Sequence, residues 1–234
     1  MSLTTPLNPS EKTELILIRH AVTEANLRHV MLGRTNPPLH PLGIEQAQAI
    51  AQALVKEHWH TIYTSPLLRA MQTAEIIAQA RSSQVHQNIV PLILPGLAEI
   101  DLGVIDGLPS YQAYQEFREV MDQALDPEAD DFAFSGGESR VAVHQRFYLA
   151  LQEIVHRHPG QQVCAVTHGG ALGLWFARSH QEPLGHLRQR QPQHASITRV
   201  IHENDAWQIA QFNDVSHLPT ALQQAIKELA NQGP

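Results

Sequence analysis

The sequence predicts an α/β fold, three layers arranged α/β/α around a mostly parallel central sheet. Short runs rich in branched apolar residues recur at 14–19, 61–64, 88–94 and 162–167, as expected of strands in a covered sheet. Longer segments between them carry apolar residues at helical spacing, the pattern of strands joined by covering helices. Two of the runs are followed at once by histidine, which puts polar chemistry at strand carboxyl ends, where parallel sheets open their sites.

Each element has a local cause. Glu14 to Arg19 is a buried central strand. From Pro41 to Val55, Leu42, Gln46, Ala49 and Ala53 fall at helical spacing, and Pro41 suits a first turn. After the strand Thr61–Thr64, Ser65 and Pro66 read as the N-cap and first-turn pair of a helix to about Gln79, with Arg69 in its first turn. Asn88 to Leu94 reads as a third strand, followed by an irregular stretch and a helix from about Ser110 to Gln123 that the acidic segment Asp126–Asp131 breaks. Gly136-Gly137-Glu138 opens a long helix to about His158, stopped by Pro159-Gly160. Glu138 is read first as a charge at that helix's N-terminus, the alternative being a substrate loop. Gln162 to Thr167 is another strand, and Gly169-Gly170 begins a helix whose Trp175 and Phe176 are read as core, the alternative being a pocket border. The runs Ser196–Ile201 and Trp207–Phe212 are close enough to pair as a hairpin, and Leu218 to Asn231 closes the chain as a helix. No linker divides the sequence, so residues 14–234 are expected to form one domain with a helical insert at about 105–135, after a disordered tail over 1–13.

Acidic residues outnumber basic ones 23 to 16, and the net charge of −7 argues against nucleic acid or an anionic membrane as partner. Nowhere do 18 apolar residues run together, the opening residues lack the basic start and apolar stretch of a leader, and the lone Cys164 lies in an apolar strand. A cytoplasmic protein is expected. The 15 histidines raise metal binding, but His58/His60 and His156/His158 are spaced by two, which separates them on a helix, and no cysteine or carboxylate cluster joins them. Neither metal nor cofactor is expected.

The two histidines at strand ends, His20 and His168, should meet in space with Arg19, Arg69 and Glu99, the last in a loop following a strand. Two imidazoles, two guanidiniums and a carboxyl suit phosphoryl transfer. The guanidinium forks neutralise nonbridging oxygens, and their charge keeps His20 neutral, with a lone pair for in-line attack on phosphorus. A carboxyl at Glu99 can protonate the leaving alkoxide and then activate water. His168, before two glycines at a helix start, can donate to phosphoryl oxygens. Taken singly, each of these residues also has a structural reading, and Asp101 rivals Glu99.

The ordered set of motifs resembles the histidine phosphatase superfamily, which includes the cofactor-dependent phosphoglycerate mutases. The pieces are Arg19-His20-Ala21-Val22-Thr23-Glu24-Ala25-Asn26, Gly33-Arg34 with Pro38-Leu39 and Gly43, and Thr64-Ser65-Pro66-Leu67-Leu68-Arg69. Leu97-Ala98-Glu99-Ile100-Asp101-Leu102-Gly103, Gly136-Gly137-Glu138-Ser139 and Val166-Thr167-His168-Gly169-Gly170 complete it. The resemblance implies a phosphoglycerate mutase-like fold and no metal, with His20 as the phosphorylated nucleophile and Glu99, rather than Asp101, as proton donor. It makes Arg19, Arg69 and His168 phosphate ligands with Asn26 in contact, although Asn26 also suits a local turn; Thr23, Arg34 and Gly169 join as candidate binding residues. Ala21, Asn36, His40 and His194 depart from the pattern, where glycine, aspartate, threonine and asparagine are usual.

A phosphatase acting on a small phosphorylated metabolite is the expected function. The 105–135 insert has Arg118 as its one cation beside several acids, whereas a mutase handling a bisphosphorylated substrate needs more positive charge. The mutase and a catalytically idle phospho-ligand binding module are the alternatives, and a homodimer is open.

Overall fold

In the computed structural model, residues 12–231 are described. Strand β1 (Thr13–Arg19) lies centrally in a six-stranded sheet with β2 (Thr61–Thr64), β3 (Leu92–Ile93), β4 (Gln162–Thr167), β5 (Ile197–Glu203) and β6 (Ala206–Asp214), in the order β3-β2-β4-β1-β5-β6. Strands β3, β2, β4 and β1 are parallel; β5 runs antiparallel to β1 and forms the expected hairpin with β6. The covering helices include α1 (Glu24–Leu27), α2 (Pro41–Leu54), α3 (Leu68–Val85), α4 (Ser110–Glu116), α5 (Arg118–Leu125), α6 (Arg140–Arg157), α7 (Gly169–Ser179) and α8 (Thr220–Asn231).

The period-two alternation of β1 splits the core. Leu15 and Leu17 face α6 and α7, packing with Phe147, Leu151 and Phe176, while Ile16 and Ile18 face α2 and α3, packing with Ile50, Leu54 and Ile77. All four strand residues are fully buried, each stabilising the fold by about 1.5–3 kcal/mol. Trp175 and Phe176 belong to the first of these cores, and a third cluster of Ile105, Ala113, Met121, Ala124 and Phe134 holds the segment 105–134 together.

Several boundaries differ from the expectation. Helix α3 starts at Leu68, and its N-terminus is capped from a distance: the Leu68 N–H donates to Asn36 Oδ1 at 2.6 Å. Ser65 is therefore no helix cap; its Oγ accepts from the Leu67 N–H and bonds the His168 ring. The helix continues to Val85, beyond Gln79, and ends on His86 in the left-handed conformation. Only Leu92–Ile93 of the 88–94 run pairs as a strand, because it is a sheet edge with one neighbour. The single helix expected over 110–123 is broken at Phe117 into α4 and α5, and α6 begins at Arg140, capped by Ser139. Helix α8 begins at Thr220, two residues later than expected. His40, which stands where threonine is usual, still caps α2 through Nδ1, accepting from the Leu42 N–H at 3.1 Å. The tail expected over 1–13 lies outside the described residues up to residue 11, whereas Thr13 opens β1.

Candidate active site

The parallel order brings the carboxyl ends of β1, β4 and β2 side by side, so Arg19-His20, Thr167-His168 and Ser65 converge. His20 Nδ1 lies 2.8 Å from the Ala21 carbonyl, which can only accept, so the proton sits on Nδ1 and Nε2 keeps its lone pair. Arg69 Nε faces that lone pair at 3.3 Å. Burial first, then the charges of Arg69 and Arg19, push His20 well below the ordinary histidine value, and the ring is neutral at pH 7. The same causes keep His168 neutral; its ring centroid is 5.0 Å from that of His20. His168 Nε2 pairs with Ser65 Oγ at 2.6 Å, while its buried Nδ1 has no partner among the described residues.

Both guanidiniums are anchored by the protein. Arg69 donates through Nη1 and Nη2 to the carbonyls of Thr35 and Gly33, and Arg19 donates to the Pro192 carbonyl and to His194 Nε2. Burial lowers Arg19 to about 10, partly offset by Glu99, so it remains charged at neutral pH.

Glu99 sits on the N-terminus of α7. Its carboxylate accepts from the N–H groups of Gly170, Ala171 and Ile100 at 2.9–3.0 Å. A Cβ on Gly170 would come within 2.6 Å of Glu99 Oε1, so only glycine allows the carboxylate this seat. The loop carrying Glu99 is gathered by Arg146 on α6, which donates to the carbonyls of Gly96, Ala98 and Glu99, and by Thr167 Oγ1, which donates to the Leu97 carbonyl. Glu138 in turn accepts from Arg146, Arg34 and the Asp101 N–H. Against the burial that would raise it, these partners hold Glu138 at about 2.

A cavity of about 210 Å³ opens beside His20, and Arg19, Glu99, Asn26 and Gly170 line it. Met31, Leu32, Leu102, Phe132 and Phe134 form an apolar wall, with the exposed Arg188 also lining the cavity.

The profile described as the histidine phosphatase superfamily, branch 1, matches residues 15–215. The chain belongs to the histidine phosphatase superfamily. It is 32% identical over 213 residues to a metal-independent phosphoserine phosphatase of Arabidopsis thaliana, covering 89% of this chain and 84% of the relative. It is 30% identical to a probable phosphoglycerate mutase, GpmB, of Proteus mirabilis, covering 88% and 94%. Among solved structures, YhfR of Bacillus stearothermophilus superimposes with a TM-score of 0.80 at 31% identity, over 88% of this chain and all of that one. A phosphoserine phosphatase variant of Entamoeba histolytica in complex with phosphoserine gives 0.77 at 27%, over 88% and 100%. The expected α/β fold and the phosphatase class are thereby shown.

Within this histidine phosphatase, the five expected central residues come together, although Arg69 and His168 are fully buried and touch the site through His20 and Ser65. Asn26 lines the cavity and also closes a capping box with Thr23, accepting from the Thr23 N–H and hydroxyl. Thr23 is fully buried in that cap. Arg34 pairs with Glu138 at 3.0 Å, and Gly169 leaves room for Arg19, whose Cζ would stand 2.6 Å from a Cβ there. Glu138 is not a free charge at a helix start; it ties Arg34 and Arg146 to the Glu99 loop. Ser65, Arg146 and His194 escaped the sequence reading as site residues, and for the first two no local periodicity signals their contacts. His194 had a signal, its departure from the usual asparagine.

Among the described residues no group of three or more His, Cys, Asp or Glu could hold a metal ion, and no helix is long and apolar enough to cross a membrane.

Proposed function

We propose that this histidine phosphatase hydrolyses small phosphomonoesters through a phosphohistidine on His20. The observation that carries the reading is the fixed tautomer of His20: Nδ1–H is held by the Ala21 carbonyl, and Nε2 keeps its lone pair, engaged only by a long 3.3 Å bond from Arg69 Nε that attack must displace, beside a cavity that Glu99 shares. Glu99 takes the proton of the monoanionic ester as it binds; Nε2 then attacks phosphorus, the bond to the leaving oxygen breaks, and Glu99 passes that proton to the alkoxide. Water then gives its proton to Glu99 and attacks phosphorus, the P–N bond breaks, and phosphate leaves with His20 again neutral. The charges of Arg19 and the buried Arg69 behind His20 offset that of the phosphoryl oxygens, and neutral His168 has Nδ1 left to donate a hydrogen bond, so the chain itself supplies the charge and the reaction runs without a metal.

Hydrolysis is favoured over transfer to a second acceptor because the cations near the cavity are already committed. Arg34 and Arg146 pair with Glu138, and Arg140 donates to the carbonyls of Ala124 and Ala129. Arg188 alone among these makes no side-chain hydrogen bond among the described residues, too little charge for a bisphosphorylated substrate. The relatives named phosphoserine phosphatases support the same choice. The apolar wall accommodates the carbon part of a leaving group, and the single, buried Cys164 fits a cytoplasmic protein.

The test is phosphate release from a panel of phosphomonoesters in chelator, for the native protein and His20→Ala, with isomerisation of phosphoglycerates followed in parallel. Release by the native protein that vanishes in His20→Ala is expected. Release undiminished in His20→Ala, or isomerisation outpacing release, would overturn the reading.

A further inference from the structure

We propose that His194 is a positioning residue, a neutral ring whose Nε2 lone pair holds the Arg19 guanidinium in its phosphate-binding attitude against His20. Arg19 Nη2 lies 2.8 Å from His194 Nε2. A guanidinium has no lone pair to offer, so Arg19 donates, and the His194 proton must ride on Nδ1. Nη1 donates to the Pro192 carbonyl at 2.7 Å. One short loop thus holds both outer nitrogens, while the buried Nε has no partner among the described residues and is the edge left for an oxyanion. The guanidinium also lies against Gly169 at the start of α7, which bars tilting on that side.

The loop is itself held firmly. Ala195 adopts φ +58°, a left-handed conformation that costs a non-glycine residue about 1 kcal/mol. It persists because the Ala195 N–H donates to the carbonyls of Arg19 and His20, its carbonyl accepts from His217 Nε2, and the neighbouring Gln193 N–H donates to Asn213 Oδ1. His194 meets the nucleophile as well, its ring 5.3 Å from that of His20 and edge-on at 63°. Burial first, then the facing Arg19, His20 and Arg69, keep His194 neutral, the only state in which it can accept from Arg19. Asparagine, usual at this position, carries an acceptor too, but a shorter one.

The inference rests on Arg19 being a phosphate ligand, and its test reads oxyanion binding apart from turnover. Orthovanadate affinity is measured by calorimetry for the native protein, His194→Ala and His194→Gln, whose amide oxygen reaches the place of Nε2. His194→Ala is expected to weaken vanadate about tenfold or more with an unchanged thermal transition, and His194→Gln to recover most of it. Should His194→Ala not fold, His194→Met fills the space without a comparable acceptor and takes its place. Affinity within about twofold of native in the alanine or methionine variant, or glutamine no better than either, would overturn the proposal. A native protein that binds vanadate but hydrolyses no ester overturns the hydrolase reading and leaves the role of His194 to be decided by these variants; one that binds no oxyanion overturns both.

Discussion

Replacing Glu138 by glutamine removes one charge from the centre of the network that seats Glu99. In the folded protein the carboxylate titrates at about 2, against 4.5 for an ordinary glutamate. That gap corresponds to about 3 kcal/mol, and because the side chain is 26% exposed, solvent screening reduces it to about 2 kcal/mol. The sign follows from proton uptake. Below 4.5 the unfolded chain binds a proton that the folded one refuses, so the contribution is complete above about pH 5 and is lost as pH falls toward 2. Glu138→Gln should therefore lower the unfolding free energy at pH 7 by about 2 kcal/mol, or the melting temperature by about 4–8 °C for a chain of this size. Urea unfolding of both proteins at pH 7, 5, 4 and 3 is the assay, and the difference should narrow to less than half by pH 3. A deficit that stays constant over that range would refute the electrostatic account and point to lost packing instead. Turnover should fall as well, since Arg146 loses the carboxylate that orients it while it holds three carbonyls of the Glu99 loop.

Glu99→Gln should slow hydrolysis of alkyl phosphates by about 10²–10³-fold and leave activated aryl esters far less affected; equal loss for both would remove Glu99 as proton donor. Gly170→Ala should cost activity with little loss of fold, because the new methyl would meet Glu99 Oε1 at 2.6 Å, and unchanged alkyl phosphatase activity would contradict that geometry. His20 and His168 stay neutral in the folded protein, so the unfolded chain takes up protons below the ordinary value of 6.5 that the native rings refuse. Stability should fall as pH drops through that value, by up to about 1.4 kcal/mol per pH unit for each ring, and NMR should find neither ring titrating near 6.5 in the free enzyme.

The sequence by itself determined the strands at 14–19, 61–64 and 162–167, the hairpin, and the placement of Arg19, His20, Arg69 and His168 at strand-to-helix junctions. Those features rest on local periodicity and composition, and a parallel sheet then brings the junctions together whatever the loops do. Only the tertiary structure decided the rest. Asn36 sets the start of α3 from 32 residues away, and Arg146 orders a loop about 47 residues upstream. Val90, Leu92 and Ile93 read as a strand yet stay exposed, because a sheet edge has one neighbour to pair with. The grip of His194 on Arg19 spans 175 residues. Such contacts depend on where the fold delivers two distant side chains, and short-range sequence patterns carry no record of that distance.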